Sequence, residues 1–254
     1  MNGTALTNNP STSTPGDKAN GKNYLELENA VKLAKNCSAL AVNKGMVYVG
    51  CFEQAFEVDK KLNINQWDQI KLNNGDIIQS IDFKQDAVYV LIYNSQNGGS
   101  FRVLSTAIHG KQESREHDYG TGTGALKQSR VHHDGYGYTN KLAIVSDKLI
   151  IPCRSNKRLV KYSLSGEIIQ HIPLALSSNQ TSTCAFGSDC VIVADYESSK
   201  MYKVNICTGE IQWTCEQVAY PQGVTSYGEH YVLVWSFGRR AVCLLHSETG
   251  KISI

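Results

Sequence analysis

The stretch PQGVTSYGEHYVLVWSFGRRAVCLLHSETGKI, residues 221–252, decides the fold of this chain. It holds three segments in which apolar and polar side chains tend to alternate, and this pattern indicates β-strands. The Thr-Gly turn near its end supplies the positive backbone φ that tight hairpins require. One small sheet of this kind leaves apolar surface uncovered. Its fold therefore depends on whether similar units occur elsewhere in the chain.

Similar units occur four times before it. The five strongest apolar strands are centred, at intervals of 41, 61, 42 and 41 residues, on Val47, Val88, Leu149, Val191 and Val232. A shorter strand and a polar turn precede each centre, and a third alternating strand follows it. In the last three copies a Ser-Gly or Thr-Gly turn leads into a fourth strand. Four-stranded repeats of about 40–45 residues are typical of propeller blades. The sequence therefore predicts an all-β propeller with five recognisable four-stranded blades.

The last three copies also carry a family resemblance. The residues that carry it are Pro221, Gly223, Val224, Arg240, Val242, Gly250, Lys251, Ala194, Asp195, Asn156, Arg158 and Gly166. They fit the order Pro-x-Gly-Val, Ala-Asp, Asn-x-Arg-Val, Gly-Lys, and the chain thus resembles the NHL-repeat propeller at the C-terminus of TRIM-NHL proteins. In the last copy, Trp235 and Ser236 stand where the family has Ala-Asp. The first two copies lack the Asn-x-Arg residues. The resemblance implies a six-bladed parent ring, so the blade number, five or six, stays open.

The chain divides into three parts by composition. Residues 1–22 are polar and have no apolar period, so we expect a disordered tail. Residues 23–36 carry apolar side chains at helical spacing, which predicts a short helix, and the propeller occupies 37–254. No secretory signal or long apolar stretch is found, so we expect a cytoplasmic protein that does not enter the membrane. The eight cysteines form no C-x-x-C pair and are expected to be mostly buried thiols.

A set of basic and aromatic residues is the candidate binding surface. Residues 105–162 hold ten Lys or Arg against five Asp or Glu, a net charge of +5, while the whole chain has +2. Loops at one face of a propeller commonly carry the binding residues. The candidate residues for binding a protein partner or RNA are Arg154, Lys157, Arg158, Trp235, Phe237, Arg239, Arg240, Tyr136 and Tyr138.

Three functions are compatible with this pattern. The NHL resemblance implies a non-catalytic platform for protein partners, with a role in substrate recognition linked to ubiquitin ligases. Single-stranded RNA is the first alternative, because arginine neutralises phosphate and aromatic rings stack on bases. A metal-dependent propeller hydrolase is the second alternative. No G-x-S-x-G or H-E-x-x-H motif occurs. We therefore expect no enzyme activity, no cofactor and no metal, and the oligomeric state is open.

The longest interval contains an insertion at residues 111–140, with the sequence KQESREHDYGTGTGALKQSRVHHDGYGYTN. We expect a mobile, glycine-rich surface loop. A phosphate-binding loop at GTGTG is disfavoured because no strand and helix flank it. A metal site at His117, His132, His133 and Asp134 is disfavoured because adjacent histidines on a strand point to opposite sides.

Overall fold

The computed structural model describes residues 37–51, 54–94, 100–108, 115–118, 141–153, 157–177 and 180–253. Every regular element in these ranges is a β-strand, and the strands form five antiparallel sheets. The fold is a five-bladed β-propeller. The all-β prediction is therefore confirmed. The expected tail at 1–22 and helix at 23–36 lie outside the described residues.

The strands follow one another in chain order within each sheet. Blade 1 contains β1 (Cys37–Asn43), β2 (Met46–Cys51), β3 (Gln54–Val58) and β4 (Ile64–Gln66). Blade 2 contains β5 (Asp76–Lys84), β6 (Ala87–Asn94), β7 (Ser100–Ala107) and β8 (Arg115–Asp118). Blade 3 contains β9 (Ala143–Val145), β10 (Lys148–Cys153), β11 (Arg158–Ser163) and β12 (Ile168–Pro173). Blade 4 contains β13 (Thr181–Phe186), β14 (Cys190–Asp195), β15 (Lys200–Asn205) and β16 (Ile211–Cys215). Blade 5 contains β17 (Pro221–Tyr227), β18 (Tyr231–Ser236) and β19 (Ala241–His246).

The predicted blade pattern agrees with these strands, with two differences. Strand β8 lies at residues 115–118, inside the segment that was expected to be only a loop, and it completes blade 2 by pairing with β7. Blade 5 has three full strands, and a single bridge between Leu245 and Ile252 stands where the other blades have a fourth strand. Strand β8 has the wholly polar sequence Arg-Glu-His-Asp and so shows no alternation, whereas the fourth strand expected from the alternating residues after Gly250 is reduced to the one bridge at Ile252.

Blades 2, 3 and 4 each lie between two neighbouring blades, so both of their faces are buried, which explains the long apolar runs in the sequence. On β14, Val191 packs in a cluster shared with blade 3, while its neighbour Ile192 packs in a cluster shared with blade 5. Successive side chains of a strand point to opposite faces, so a strand between two neighbours is apolar throughout. Among the described residues, each of four such clusters joins two successive blades.

Side-chain hydrogen bonds connect successive blades at or just before their first strands. The N–H of Leu142 in blade 3 donates to Oγ of Ser80 in blade 2 over 3.2 Å. The N–H of Val224 in blade 5 donates to Oγ of Ser182 in blade 4 over 3.3 Å. These hydroxyls pair backbone groups that would otherwise be buried without a partner. They fix the spacing of the blades around the axis.

Asp82 also connects blade 2 with blade 3 through a side-chain hydrogen bond. Its Oδ2 accepts the N–H of Ile144 over 2.9 Å and its Oδ1 accepts the N–H of Phe83 over 2.8 Å. Burial raises the pKa of the Asp82 carboxyl more than these hydrogen bonds lower it. A raised pKa means that the protonated form is favoured by folding, so its stabilising contribution is present at acid pH. That contribution is lost as the pH rises through the pKa of the folded state.

The Asp82→Asn substitution keeps one acceptor oxygen and cannot ionise. We expect the melting temperature of the variant, relative to the natural protein, to increase as the pH is raised from acid to neutral. Thermal unfolding of both proteins across that pH range measures this difference. A difference that stays constant, or that changes with the opposite sign, would contradict the assigned burial of the carboxylate.

Candidate functional site

The residue just before the third strand has a positive φ in three blades. Lys157, Ser199 and Arg240 occupy equivalent positions and have positive φ values of 47°, 53° and 50°. In blade 4 the N–H of Ser199 donates to the carbonyl of Tyr196 over 3.2 Å. In blade 5 the N–H of Arg240 donates to the carbonyl of Phe237 over 3.2 Å. Tyr196 and Phe237 therefore begin the same turn in neighbouring blades.

Tyr220 connects these two turns. Its N–H donates to Oγ of Ser199 over 3.1 Å, and its carbonyl accepts the N–H of Phe237 over 3.1 Å. The ring centroids of Tyr196 and Tyr220 are 5.3 Å apart, and those of Tyr196 and Phe237 are 6.1 Å apart. Tyr220 is 47% exposed and Phe237 is 54% exposed. Tyr196, Tyr220 and Phe237 form an aromatic cluster across blades 4 and 5, in which Tyr196 is half-buried and the other two rings are exposed.

Close packing under the cluster holds the blade 5 turn in place. A Cβ added to Gly238 would lie 2.9 Å from Cβ of Ala219 and 2.9 Å from Cδ2 of Tyr220, so only glycine fits. The hydroxyl of Ser236 donates to the carbonyl of Ala219 over 2.6 Å. The N–H of Arg239 donates to Oγ of Ser236 over 3.3 Å. The turn is therefore fixed to the connection that precedes blade 5.

Blade 4 uses a carboxylate for the same purpose. Asp195 is fully buried, and its Oδ2 accepts the N–H of Ser177 over 2.8 Å and the hydroxyl of Ser198 over 2.7 Å. Asp195 and Ser236 both end the second strand of their blade. This equivalence gives a physical reason for the departure from Ala-Asp in the last repeat. In blade 5 the Ser236 hydroxyl binds the segment that precedes the blade, as the Asp195 carboxylate does in blade 4.

Positive charge lies beside the aromatic cluster in blade 5. Arg239 and Arg240 follow Phe237 and Gly238 in the turn, and both are exposed. The charge of Arg239 lowers the pKa of the Cys243 thiol, while burial raises it by more. Glu197 is exposed in the blade 4 turn, so the positive end of the surface is in blade 5. We call the aromatic cluster with Arg239 and Arg240 the aromatic-basic surface.

The structure separates the residues that were grouped by sequence. Phe237, Arg239 and Arg240 lie together in the blade 5 turn. Lys157 is exposed in the equivalent turn of blade 3. Arg158 begins β11, is half-buried, and its Nε has no hydrogen-bond partner among the described residues. Arg154, Tyr136 and Tyr138 lie outside the described residues.

Trp235 lies in a strand, unlike the other candidate residues of blade 5, which lie in the turn. It belongs to β18, where it is paired with Val242 of β19 and is 38% exposed. Successive pairing places Leu233 and Tyr227 on the same side, the face of blade 5 turned away from blade 4. Tyr227 is 59% exposed and Val242 is 50% exposed. This outer face of blade 5 is a second exposed apolar surface, distinct from the aromatic-basic surface.

Tyr196 and Tyr220 were not selected from the sequence. Tyr196 lies in the loop after β14, and Tyr220 lies in the connection before β17. Neither segment contains a Lys or Arg, and the sequence-based prediction selected aromatic residues only where they lie near basic ones. Equivalence with Phe237 across the repeat is the signal that identifies Tyr196.

Two features of the described ranges concern metals and membranes. No group of three His, Cys, Asp or Glu side chains in this part of the chain is placed to hold a metal ion. His132, His133 and Asp134 lie outside it. The same ranges contain no helix long and apolar enough to cross a membrane.

Comparison with known proteins identifies the fold. The sequence matches no known protein family. It also matches no curated protein. A protein of unknown function from Bacteroides caccae has a similar structure, with a TM-score of 0.63, 11% identity, and coverage of 89% of this chain and 82% of that chain. A chain of the nidogen–laminin complex gives 0.60, 15% identity, and coverage of 87% and 80%. A catalytically inactive virginiamycin B lyase from Staphylococcus aureus, with quinupristin, gives 0.57, 13% identity, and coverage of 89% and 85%.

Structural similarity at such low sequence identity shows the fold and nothing finer. The neighbours include both an enzyme and a component of a protein complex. The propeller prediction is therefore confirmed. The assignment to the NHL family is not confirmed and stays a prediction.

Proposed function

We propose that this propeller is a non-catalytic platform that binds a protein partner through its aromatic-basic surface. The observation that carries the proposal is the aromatic cluster, with the rings of Tyr220 and Phe237 exposed, beside Arg239 and Arg240. Tyrosine, phenylalanine and arginine are enriched in protein interfaces, and tyrosine and arginine are enriched among residues that dominate binding energy. Hydrogen bonds and close packing already hold the blade 5 turn, so little ordering is needed on binding.

The chemistry of the surface indicates the kind of partner. Three rings offer an apolar platform, and two guanidinium groups at its blade 5 end pair with carboxylates. A peptide segment with an apolar anchor followed or preceded by acidic residues fits this arrangement. The nidogen–laminin structure supports the general idea, because a propeller of similar fold is part of a protein complex there.

A narrower role rests on the NHL resemblance. In that role the propeller recognises substrates for a ubiquitin ligase whose catalytic part is on another chain, in the cytoplasm. Support comes from the matching residues of the last repeats, such as Pro221 and Gly223, and not from the structural neighbours. Single-stranded RNA on the same rings and arginines remains a prediction that none of these neighbours supports.

Selection of random displayed peptides on the full-length protein tests the proposal. We expect the bound peptides to be enriched in aromatic or aliphatic residues adjacent to Asp or Glu. The double variant Tyr196→Ala, Phe237→Ala should lose them, because exposed aromatic anchors of this kind contribute about 1–2 kcal/mol each.

The matched control is Tyr227→Ala, which removes an exposed ring from the outer face of blade 5 and should bind normally. Peptides that bind the double variant as well as the natural protein would place the site elsewhere. Selection of no acidic peptide, together with salt-sensitive binding of oligouridine, would favour the RNA alternative.

A further inference from the structure

Two cysteines face each other at the start of blade 1. Cys37 is the first residue of β1 and Cys51 is the last residue of β2, and the two are direct partners in the antiparallel ladder. Their Sγ atoms are 3.1 Å apart. A disulfide bond has an S–S length of about 2.05 Å. The pair is therefore two thiols about one ångström from bonding distance.

The surroundings of the two thiols differ in a way that suits stepwise oxidation. Cys37 is exposed, whereas Cys51 is fully buried. An oxidant in solution therefore reaches Cys37 first, and Cys51 is placed to react second. The ladder is irregular between Cys37 and Ala39, and a β-bulge of this kind bends the strand locally at the residue that carries the exposed thiol.

We propose that Cys37 and Cys51 are a redox-active pair that closes to a disulfide when a small disulfide, such as glutathione disulfide, is the oxidant. The Cys37 thiolate attacks one sulfur of glutathione disulfide, forms a mixed disulfide and releases one glutathione. The Cys51 thiolate then attacks the Cys37 sulfur and releases the second glutathione. Two protein thiols are oxidised and one glutathione disulfide is reduced to two thiols, which take up the two protons.

A disulfide bond between Cys37 and Cys51 would restrain β1, the first strand of the propeller. Strand β1 packs against β5 of blade 2, and its Leu40 and Val42 are each 63% exposed on the opposite face. A link between Cys37 and Cys51 closes the hairpin at its open end, opposite the turn at Lys44 and Gly45. Oxidation would therefore fix the edge at which blade 1 begins.

Peptide mapping of the full-length protein tests the pair directly. The protein is equilibrated with glutathione and glutathione disulfide at several ratios, alkylated and digested with trypsin. Cleavage after Lys35, Lys44 and Lys60 places Cys37 and Cys51 on different peptides, 36–44 and 45–60, each with one cysteine. We expect these two peptides to appear joined, with the loss of two hydrogens, in oxidising mixtures.

Two variants separate this result from general thiol reactivity. In Cys51→Ala, Cys37 should stop at the mixed disulfide and keep one glutathione. In the control Cys207→Ser, which removes another exposed thiol, the joined peptides should form as in the natural protein. A natural protein in which both thiols remain reduced, or in which Cys37 stops at the glutathione adduct, would overturn the proposal.

Discussion

The Asp76→Ala variant is expected to lose about 3–5 kcal/mol of unfolding free energy, the usual cost of removing one partner of a buried ion pair. Asp76 is fully buried at the start of β5, and its Oδ2 accepts a hydrogen bond from Arg102, whose side chain is 12% exposed. The same carboxylate accepts the N–H of Asn73 over 2.6 Å and the side-chain amide of Asn94 over 2.7 Å. Alanine would leave a guanidinium and two N–H donors without this acceptor.

Denaturant unfolding of the purified variant measures this loss. The matched control is Glu216→Ala, which removes an exposed ion pair with Lys200 at 2.7 Å. Exposed pairs of this kind contribute about 0–1 kcal/mol. If both variants lose the same small amount of stability, the carboxylate of Asp76 does not organise blade 2 as described.

The Trp213→Ala variant is expected to lose a similar amount, about 3–5 kcal/mol. Trp213 is buried in the cluster that joins blades 4 and 5, and its Nε1–H donates to the carbonyl of Ser247 over 2.7 Å. A Cβ added to Gly250 would lie 2.9 Å from the indole ring, so the ring also packs on the Thr-Gly turn of blade 5. Removing the ring opens a cavity between the blades that carry the aromatic-basic surface.

Trp235→Ala is the comparison for this variant, because Trp235 is a partly exposed tryptophan of the same blade pair. Its removal should cost about 1 kcal/mol or less, as expected for a partly exposed side chain. Thermal unfolding of the two variants side by side gives the difference. Equal losses would mean that the junction between blades 4 and 5 is not held by Trp213.

The fold could be predicted because it depends on the period of the repeats and on the alternation of apolar and polar residues within strands. The apolar centres at Val191 and Val232 mark second strands, and turn residues such as Gly209 and Gly250 mark the hairpins after third strands. Both signals are local. The short strand β8 has no such pattern, since its sequence Arg-Glu-His-Asp is wholly polar, and only pairing with β7 defines it.

The candidate site could be predicted only in part, because it depends on which loops meet. Phe237, Arg239 and Arg240 lie within four consecutive residues of the sequence, so their proximity could be predicted without the structure. Tyr196 and Tyr220 join them through the junction of two blades. The pairing of Cys37 with Cys51 likewise depends on the register of β1 and β2, which the cysteine spacing does not fix.

The central claim is that the aromatic-basic surface binds a protein segment. Titration of the best selected acidic peptide into the natural protein, Phe237→Ala and Tyr227→Ala, all shown to be folded, tests it most directly. We predict that Phe237→Ala raises the dissociation constant about tenfold or more, which corresponds to a loss of about 1.4 kcal/mol of binding free energy. Tyr227→Ala should leave the dissociation constant unchanged. Equal affinity for Phe237→Ala and the natural protein, or a loss with Tyr227→Ala instead, would contradict the claim.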